Sequence, residues 1–148
     1  MAEPVKPIAT EQTDESDELI ERVRNAQQTE KAEDYVEMID DLINAYGEAR
    51  VTDLAQRFGV SHATVNKIVK RLQRDGLVTS RPYRSIFLTE QGSALADASR
   101  KRHQIVLNFL RAIGVSARNA ELDAEGIEHY VSAETLAAFE KITSETDG

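Results

Sequence analysis

The chain has 148 residues, of which 41% are apolar and 30% charged, with 18 basic side chains against 26 acidic ones. That is enough apolar material for a core, so wholesale disorder is excluded. The absence of Cys rules out both a disulfide scaffold and a thiolate zinc site. No apolar run approaches the roughly 20 residues of a membrane span, and no basic-then-apolar leader opens the chain, so a soluble cytoplasmic protein with no membrane partner is expected.

In chain order, residues 1–30 are polar and acidic, carry Pro4 and Pro7, and lack Phe and Tyr. Their composition predicts a mostly disordered arm, with Ser16 capping a short helix to about Arg24. From about Lys31 to Tyr46, Tyr35, Met38, Ile39, Leu42 and Ile43 recur at helical spacing until Gly47. Thr52 is expected to cap a short helix carrying Leu54, Ala55 and Phe58, closed by Gly59. Val60 should then pack inward, and Ser61 should cap a helix with Val65, Ile68, Val69 and Leu72 on its apolar stripe. After Asp75-Gly76, Leu77–Ser80 and Ser85–Leu88 read as two short strands joined by Arg81-Pro-Tyr-Arg84. Thr89 should cap a long helix to Gly114, and two more helices should cover about Ser116–Tyr130 and Ser132–Ile142.

Charge is partitioned along this order. Residues 1–49 carry a net −10, residues 50–84 a net +6 and residues 85–148 a net −4. A compact basic island in an acidic chain fits a phosphate backbone. It coincides with the order helix, short helix, tight turn, helix, two-stranded wing, in which the helix after the turn enters the major groove. Ser61, Ala63, Thr64 and Lys67 face outward there. Ala63 and Thr64 suit a thymine methyl, and Lys67 reaches guanine or phosphate. Lys70, Arg71 and Arg74 continue as phosphate anchors, and Arg81 and Arg84 extend the contact from the wing. His62, on the first turn, reads as a surface polar residue, since no carboxylate follows at i+3 or i+4.

A second constellation lies outside this island. Asp34 and Glu37 are i,i+3 on the first helix, and Glu125, Glu128 and His129 are i, i+3, i+4 on a later one. His103 sits at the border of the long helix's apolar stripe. Carboxylates and imidazoles on packed elements are what a hard divalent cation requires, although each pair alone is also common on solvated faces.

The stretches Glu33-Asp-Tyr-Val-Glu37, Gly47-Glu-Ala-Arg-Val-Thr-Asp-Leu-Ala55, Arg102-His-Gln-Ile-Val-Leu-Asn-Phe-Leu110 and Asp123-Ala-Glu-Gly-Ile-Glu-His-Tyr-Val-Ser132 together resemble the manganese transport regulators of the diphtheria-toxin-repressor family. The resemblance runs from about Glu33 to Ile142. It implies a mainly α protein: a winged helix-turn-helix DNA-binding domain over residues 31–100, then an all-helical dimerisation and metal-binding domain over 101–148. It further implies a homodimer on a palindromic double-stranded DNA operator, with Mn(II) as cofactor and one or two ions per subunit. The implied metal ligands are Asp34, Glu37, His103, Glu125, Glu128 and His129. The chain departs from the pattern at Tyr130, where members commonly carry a second consecutive His. The C-terminal SH3-like domain of the larger iron-responsive relatives is not expected.

The function so read is a manganese-dependent transcriptional regulator, mainly repressing manganese uptake. An iron(II)-responsive or other metal-responsive repressor of the same family, or a metal-independent winged-helix regulator, is the alternative. A metal-dependent hydrolase is disfavoured: there is no Gly-rich anion loop and no evident nucleophile, so neither catalysis nor an organic substrate is expected.

Overall fold

The computed structural model describes residues 9–81 and 85–147, with side chains from residue 14 to residue 146 in those spans. Arg84, expected on the wing, lies outside the described residues. The first helix, α1 (Ala9–Tyr46), contains neither Gly nor Pro and ends at Gly47. It replaces the expected disordered arm from residue 9 onward, and Ser16 lies inside it rather than capping it. Glu, Gln, Ala, Leu and Arg are good helix formers, and no breaker interrupts them. Intrinsic propensity and continuity with the packed second half therefore hold the first half, where Leu19, Ile20 and Val23 are exposed.

Two further helices, α2 (Val51–Phe58) and α3 (His62–Arg74), complete the helix-turn-helix. The N-cap of α2 is Arg50, not Thr52: the Arg50 amide donates to Asp53 Oδ2 at 3.0 Å, which satisfies a donor that Thr52 does not reach. Gly59 takes φ 65°, the left-handed turn that separates α2 from α3. Val60 is exposed at this turn, contrary to expectation, because the tight reversal aims it away from the core. Ser61 caps α3 as expected, its Oγ accepting from the Thr64 amide at 3.1 Å.

The wing is shorter than its apolar pattern predicts. Strands β1 (Val78–Thr79) and β2 (Phe87–Leu88) pair antiparallel, Val78 opposite Leu88 and Thr79 opposite Phe87. The Ile86 amide also donates to the Ala49 carbonyl at 2.8 Å, tying the α1–α2 connection to the sheet. Tyr35, Ile39, Leu42, Leu54, Val65, Val69, Leu72 and Ile86 close one core around these elements, and Tyr35 stacks on Phe58 with centroids 4.4 Å apart.

The long helix α4 (Glu90–Ala112) leads out of this core into a second one. Its start is held by Thr89, whose hydroxyl donates to the Gly76 carbonyl at 2.6 Å and accepts from the Gly92 amide at 3.1 Å. Gly92 is needed because a Cβ there would meet the Leu77 carbonyl oxygen at 2.0 Å. Arg100 then reaches back to α1, donating to Asp40 at 2.6 Å and to Asp41 at 2.7 Å. Beyond it, Val106 and Leu110 pack with Ala120 and Ala124 of α5 (Ala117–Ile127), and Phe109 stacks on Phe139 of α6 (Ala133–Asp147). No described helix is long and apolar enough to cross a membrane.

Candidate metal centre and DNA-binding face

Five of the six residues singled out in the sequence fall into ligand-atom groups where α1, α4 and the end of α5 meet, while Glu37 belongs to neither group and is near enough only to feel the charges of Asp34 and Glu125. Asp34 and Glu37 come from the half of α1 that also buries Tyr35 and Ile39 in the winged-helix core. His103 comes from α4 and Glu125 from α5. Helix α5 ends at Ile127, so Glu128 is its C-cap and His129 lies in the following turn rather than on the helix. The chain still curls there, with the Glu128 amide donating to the Ala124 carbonyl at 3.0 Å and the Tyr130 amide to the Ile127 carbonyl at 3.0 Å, which keeps both side chains on the inner side.

Glu128 stands between the two histidines. Its Oε2 is 2.9 Å from His103 Nδ1 and its Oε1 is 3.4 Å from His129 Nε2. Glu125 Oε1 lies 3.6 Å from His103 Nδ1, and Asp34 Oδ1 lies 3.4 Å from His129 Nε2. Two groups result, one of His103, Glu125 and Glu128, the other of Glu30, Asp34 and His129, each with ligand atoms close enough for one cation and joined by the Glu128–His129 contact. Glu30 was not expected there. It accepts from the Tyr130 hydroxyl at 2.9 Å, so the departure at Tyr130 is joined to α1.

The electrostatics are those of carboxylates crowded out of water. Burial pushes Glu128 up to about 7, with Glu125 and Glu37 adding to the effect and His103 and His129 opposing it. Burial likewise raises Glu37, and the Asp34 and Glu125 charges raise it further. Burial works against charge on His129, yet the hydrogen bonds to Asp34 and Glu33 and the nearby charges push it up to about 10. His103 also moves above its ordinary value, because Glu121, Glu128 and Glu125 outweigh its burial. Glu121, exposed on α5, takes the far side of that ring, its Oε2 3.0 Å from Nε2.

A divalent cation fits this arrangement. Glu37 Oε1 and Glu128 Oε2 are buried without a hydrogen-bond partner among the described residues, Glu128 Oε2 having only its ion-pair contact with His103. The donors are carboxylate oxygens and imidazole nitrogens, the set that hard and borderline divalent ions take.

Two residues the sequence reading left without a role, Glu33 and Arg102, sit directly behind the candidate ligands. Glu33, 1% exposed, pairs with Arg102 and also with His129. A signal was present: Glu33, Val36 and Ile39 share the i, i+3, i+6 stripe that faces the interior, where a carboxylate persists only if paired.

On the DNA side, Ser61, Ala63, Thr64, Lys67 and Lys70 are all exposed along α3, and Arg81 is exposed at the wing. The Ser61 and Thr64 hydroxyls lie 2.9 Å apart, so both serve the cap. Arg71 differs: it is half-buried beside Gln28 and Lys31 of α1.

Family models match in chain order: the iron dependent repressor N-terminal DNA binding domain over residues 27–86, and the iron dependent repressor metal binding and dimerisation domain over residues 89–146. The chain belongs to the diphtheria-toxin-repressor family. It is 52% identical to the transcriptional regulator MntR of Escherichia coli O6:H1, over 88% of this chain and 84% of that one. Identity to MntR of Salmonella typhimurium is 51%, covering 89% and 84%. With the HTH-type transcriptional regulator MntR of Geobacillus kaustophilus it is 40%, covering 70% and 74%. Among solved structures, a manganese-dependent transcriptional repressor in complex with manganese superposes with TM-score 0.67 at 28% identity, over 76% of this chain and 52% of that one. The manganese regulator SloR gives 0.65 at 26% identity, over 76% and 53%. The chain therefore spans about half the length of these two structures. As a member of this family it is a metal-dependent, DNA-binding transcriptional repressor with a dimerisation domain, and not an enzyme.

Proposed function

We propose that this repressor responds to manganese(II) in the cytoplasm, silencing manganese-uptake genes by binding a palindromic operator as a homodimer. The observation that carries this reading is the donor set: four carboxylates and two imidazoles, with no sulfur. Manganese(II) is weakly bound by nitrogen and sulfur and accepts high oxygen coordination, so hard donors favour it over softer ions in the geometry that activates. Asp34, Glu37, His103, Glu125, Glu128 and His129 would hold it, with Glu128 facing both histidines and so suited to bridging two ions.

Bound there, the cation would supply positive charge to carboxylates that otherwise repel. The chain does the rest. Asp34 and Glu37 belong to α1, which is packed against the winged-helix core, whereas His103, Glu128 and His129 belong to the helical domain. Without a counter-charge the four acids resist approach, and the two domains are tied by the Glu33 contacts with Arg102 and His129 and by the Tyr130 hydroxyl on Glu30. Drawing the ligands together orients α3 relative to the dimerisation helices, and such linkage is worth about 1–3 kcal/mol, or about 5–150-fold in operator affinity. Leu122, Ile127, Tyr130 and Val131 line an open apolar groove on the helical domain, a surface that a second subunit would cover. Ser61, Ala63, Thr64, Lys67, Lys70, Arg81 and Arg84 are the proposed DNA contacts, with half-buried Arg71 at their margin.

The test is an operator-binding titration against manganese, iron(II), zinc, cobalt and magnesium, with a chelated control. Full activation by manganese where magnesium does nothing is the expected result. Binding indifferent to chelator would overturn the metal switch, and a stronger response to iron(II) would overturn the choice of ion.

A further inference from the structure

The side chain of His129 is 2% exposed, so its ring orientation is set by contacts within the protein rather than by solvent. Both nitrogens are addressed. Nε2 faces Asp34 Oδ1 and Glu128 Oε1, each at 3.4 Å, which is the side of the ligand cluster. Nδ1 faces away from it and lies 2.8 Å from Glu33 Oε2. Glu33 itself has no freedom. Its other oxygen, Oε1, accepts from the Arg102 guanidinium, and its side chain is 1% exposed.

Three elements thus meet on one buried carboxylate: α1 through Glu33, α4 through Arg102, and the turn after α5 through His129. One oxygen is engaged by Arg102 and the other by Nδ1, the side of the His129 ring that faces away from the ligand cluster. The geometry therefore places Glu33 against the site through His129. A neutral imidazole carries one proton, and the partner of one nitrogen decides which nitrogen keeps it. A carboxylate accepts and never donates while ionised, so Glu33 keeps a proton on Nδ1, and the proton that a bound cation displaces from His129 is the one on Nε2, on the side of Asp34 and Glu128.

We propose that Glu33, anchored by Arg102, is the positioning residue for the metal ligand His129, fixing its ring plane and its Nδ1–H tautomer. The inference rests on the metal-centre reading above. Packing alone does not account for Glu33, because a buried ion pair is often matched or bettered by apolar residues of the same volume. A role in orienting a ligand does account for it, and residues behind metal-bound histidines typically change affinity by about 10- to 100-fold when altered.

The test uses the full-length protein. Glu33→Gln keeps the size of the side chain but faces Arg102 and His129 with one acceptor oxygen where there were two. Manganese affinity, read as free ion by electron paramagnetic resonance, should fall by about 10- to 100-fold. In the zinc-loaded protein, the proton resonance on His129 Nδ1 should lie downfield and exchange slowly in wild type. In Glu33→Gln it should move upfield and exchange with solvent, a change that a merely structural role for Glu33 would not produce. Unchanged affinity with an unmoved Nδ1 proton overturns the proposal. If Glu33→Gln does not fold, Arg102→Gln decides, since it frees Glu33 without touching His129: weaker manganese binding supports the role, and wild-type binding overturns it. Wild-type protein that binds no manganese overturns the metal reading itself, which separates that failure from this one.

Discussion

His129 Nε2 faces Asp34 Oδ1 at 3.4 Å, joining the turn after α5 to the helix that carries the DNA-binding core. Neither residue packs the apolar core of its own domain, so in the proposed switch this contact is where a bound cation would act on both. Three expected outcomes follow from it and its neighbours, and a fourth from the exposed face of α3.

Glu128→Ala should abolish metal-stimulated operator binding while leaving the far-ultraviolet circular dichroism spectrum intact. The substitution removes the carboxylate that faces both histidines and also removes a charge that burial resists. Fluorescence anisotropy with labelled operator checks it; a wild-type manganese midpoint and amplitude would exclude Glu128 as a ligand.

Metal uptake should release more than one proton near neutral pH, and affinity should rise with pH. His129, pushed up to about 10, and Glu128, pushed up to about 7, hold protons that a bound cation must displace. Calorimetry in two buffers of different ionisation enthalpy measures the number released.

The metal-free protein should lose stability as pH rises. His129 ordinarily titrates at 6.5 and here at about 10, so its contribution is complete below 6.5 and lost as pH passes through about 10. Glu128 acts with the same sign between 4.5 and about 7, since the folded chain holds the proton that the unfolded chain gives up. Thermal unfolding with and without chelator checks this: the apo midpoint should fall between pH 6.5 and 10 while the manganese-loaded midpoint holds.

Lys67→Ala should weaken operator binding by about 1–3 kcal/mol and alter base preference if Lys67 reads a base edge. Lys70→Ala should weaken all sequences alike and reduce the salt dependence by about one unit. Binding isotherms on operator and random DNA over a salt series separate the two roles; equal losses on both DNAs for both variants would exclude base reading by Lys67.

What the sequence by itself determined is what local spacing encodes. The stripe Val65, Val69, Leu72 and the cap Ser61 define α3 within one helix, and Asp34 with Glu37 share a face because three residues make nearly one turn. The continuity of α1 was equally local, since no breaker lies between residues 9 and 46, but an acidic composition concealed it. Tertiary structure decided the rest. The pairing of Ala49 with Ile86 adds a third piece of extended chain to the wing without any β pattern at Ala49. Glu33, one residue before the proposed ligand Asp34, falls on the inward stripe of its helix, but its partners Arg102 and His129 lie 69 and 96 residues further on and only packing brings them to it. Residue types and their spacing are covalent facts of the chain, whereas the side of an imidazole that meets a cation depends on which carboxylate packing brings to the other side.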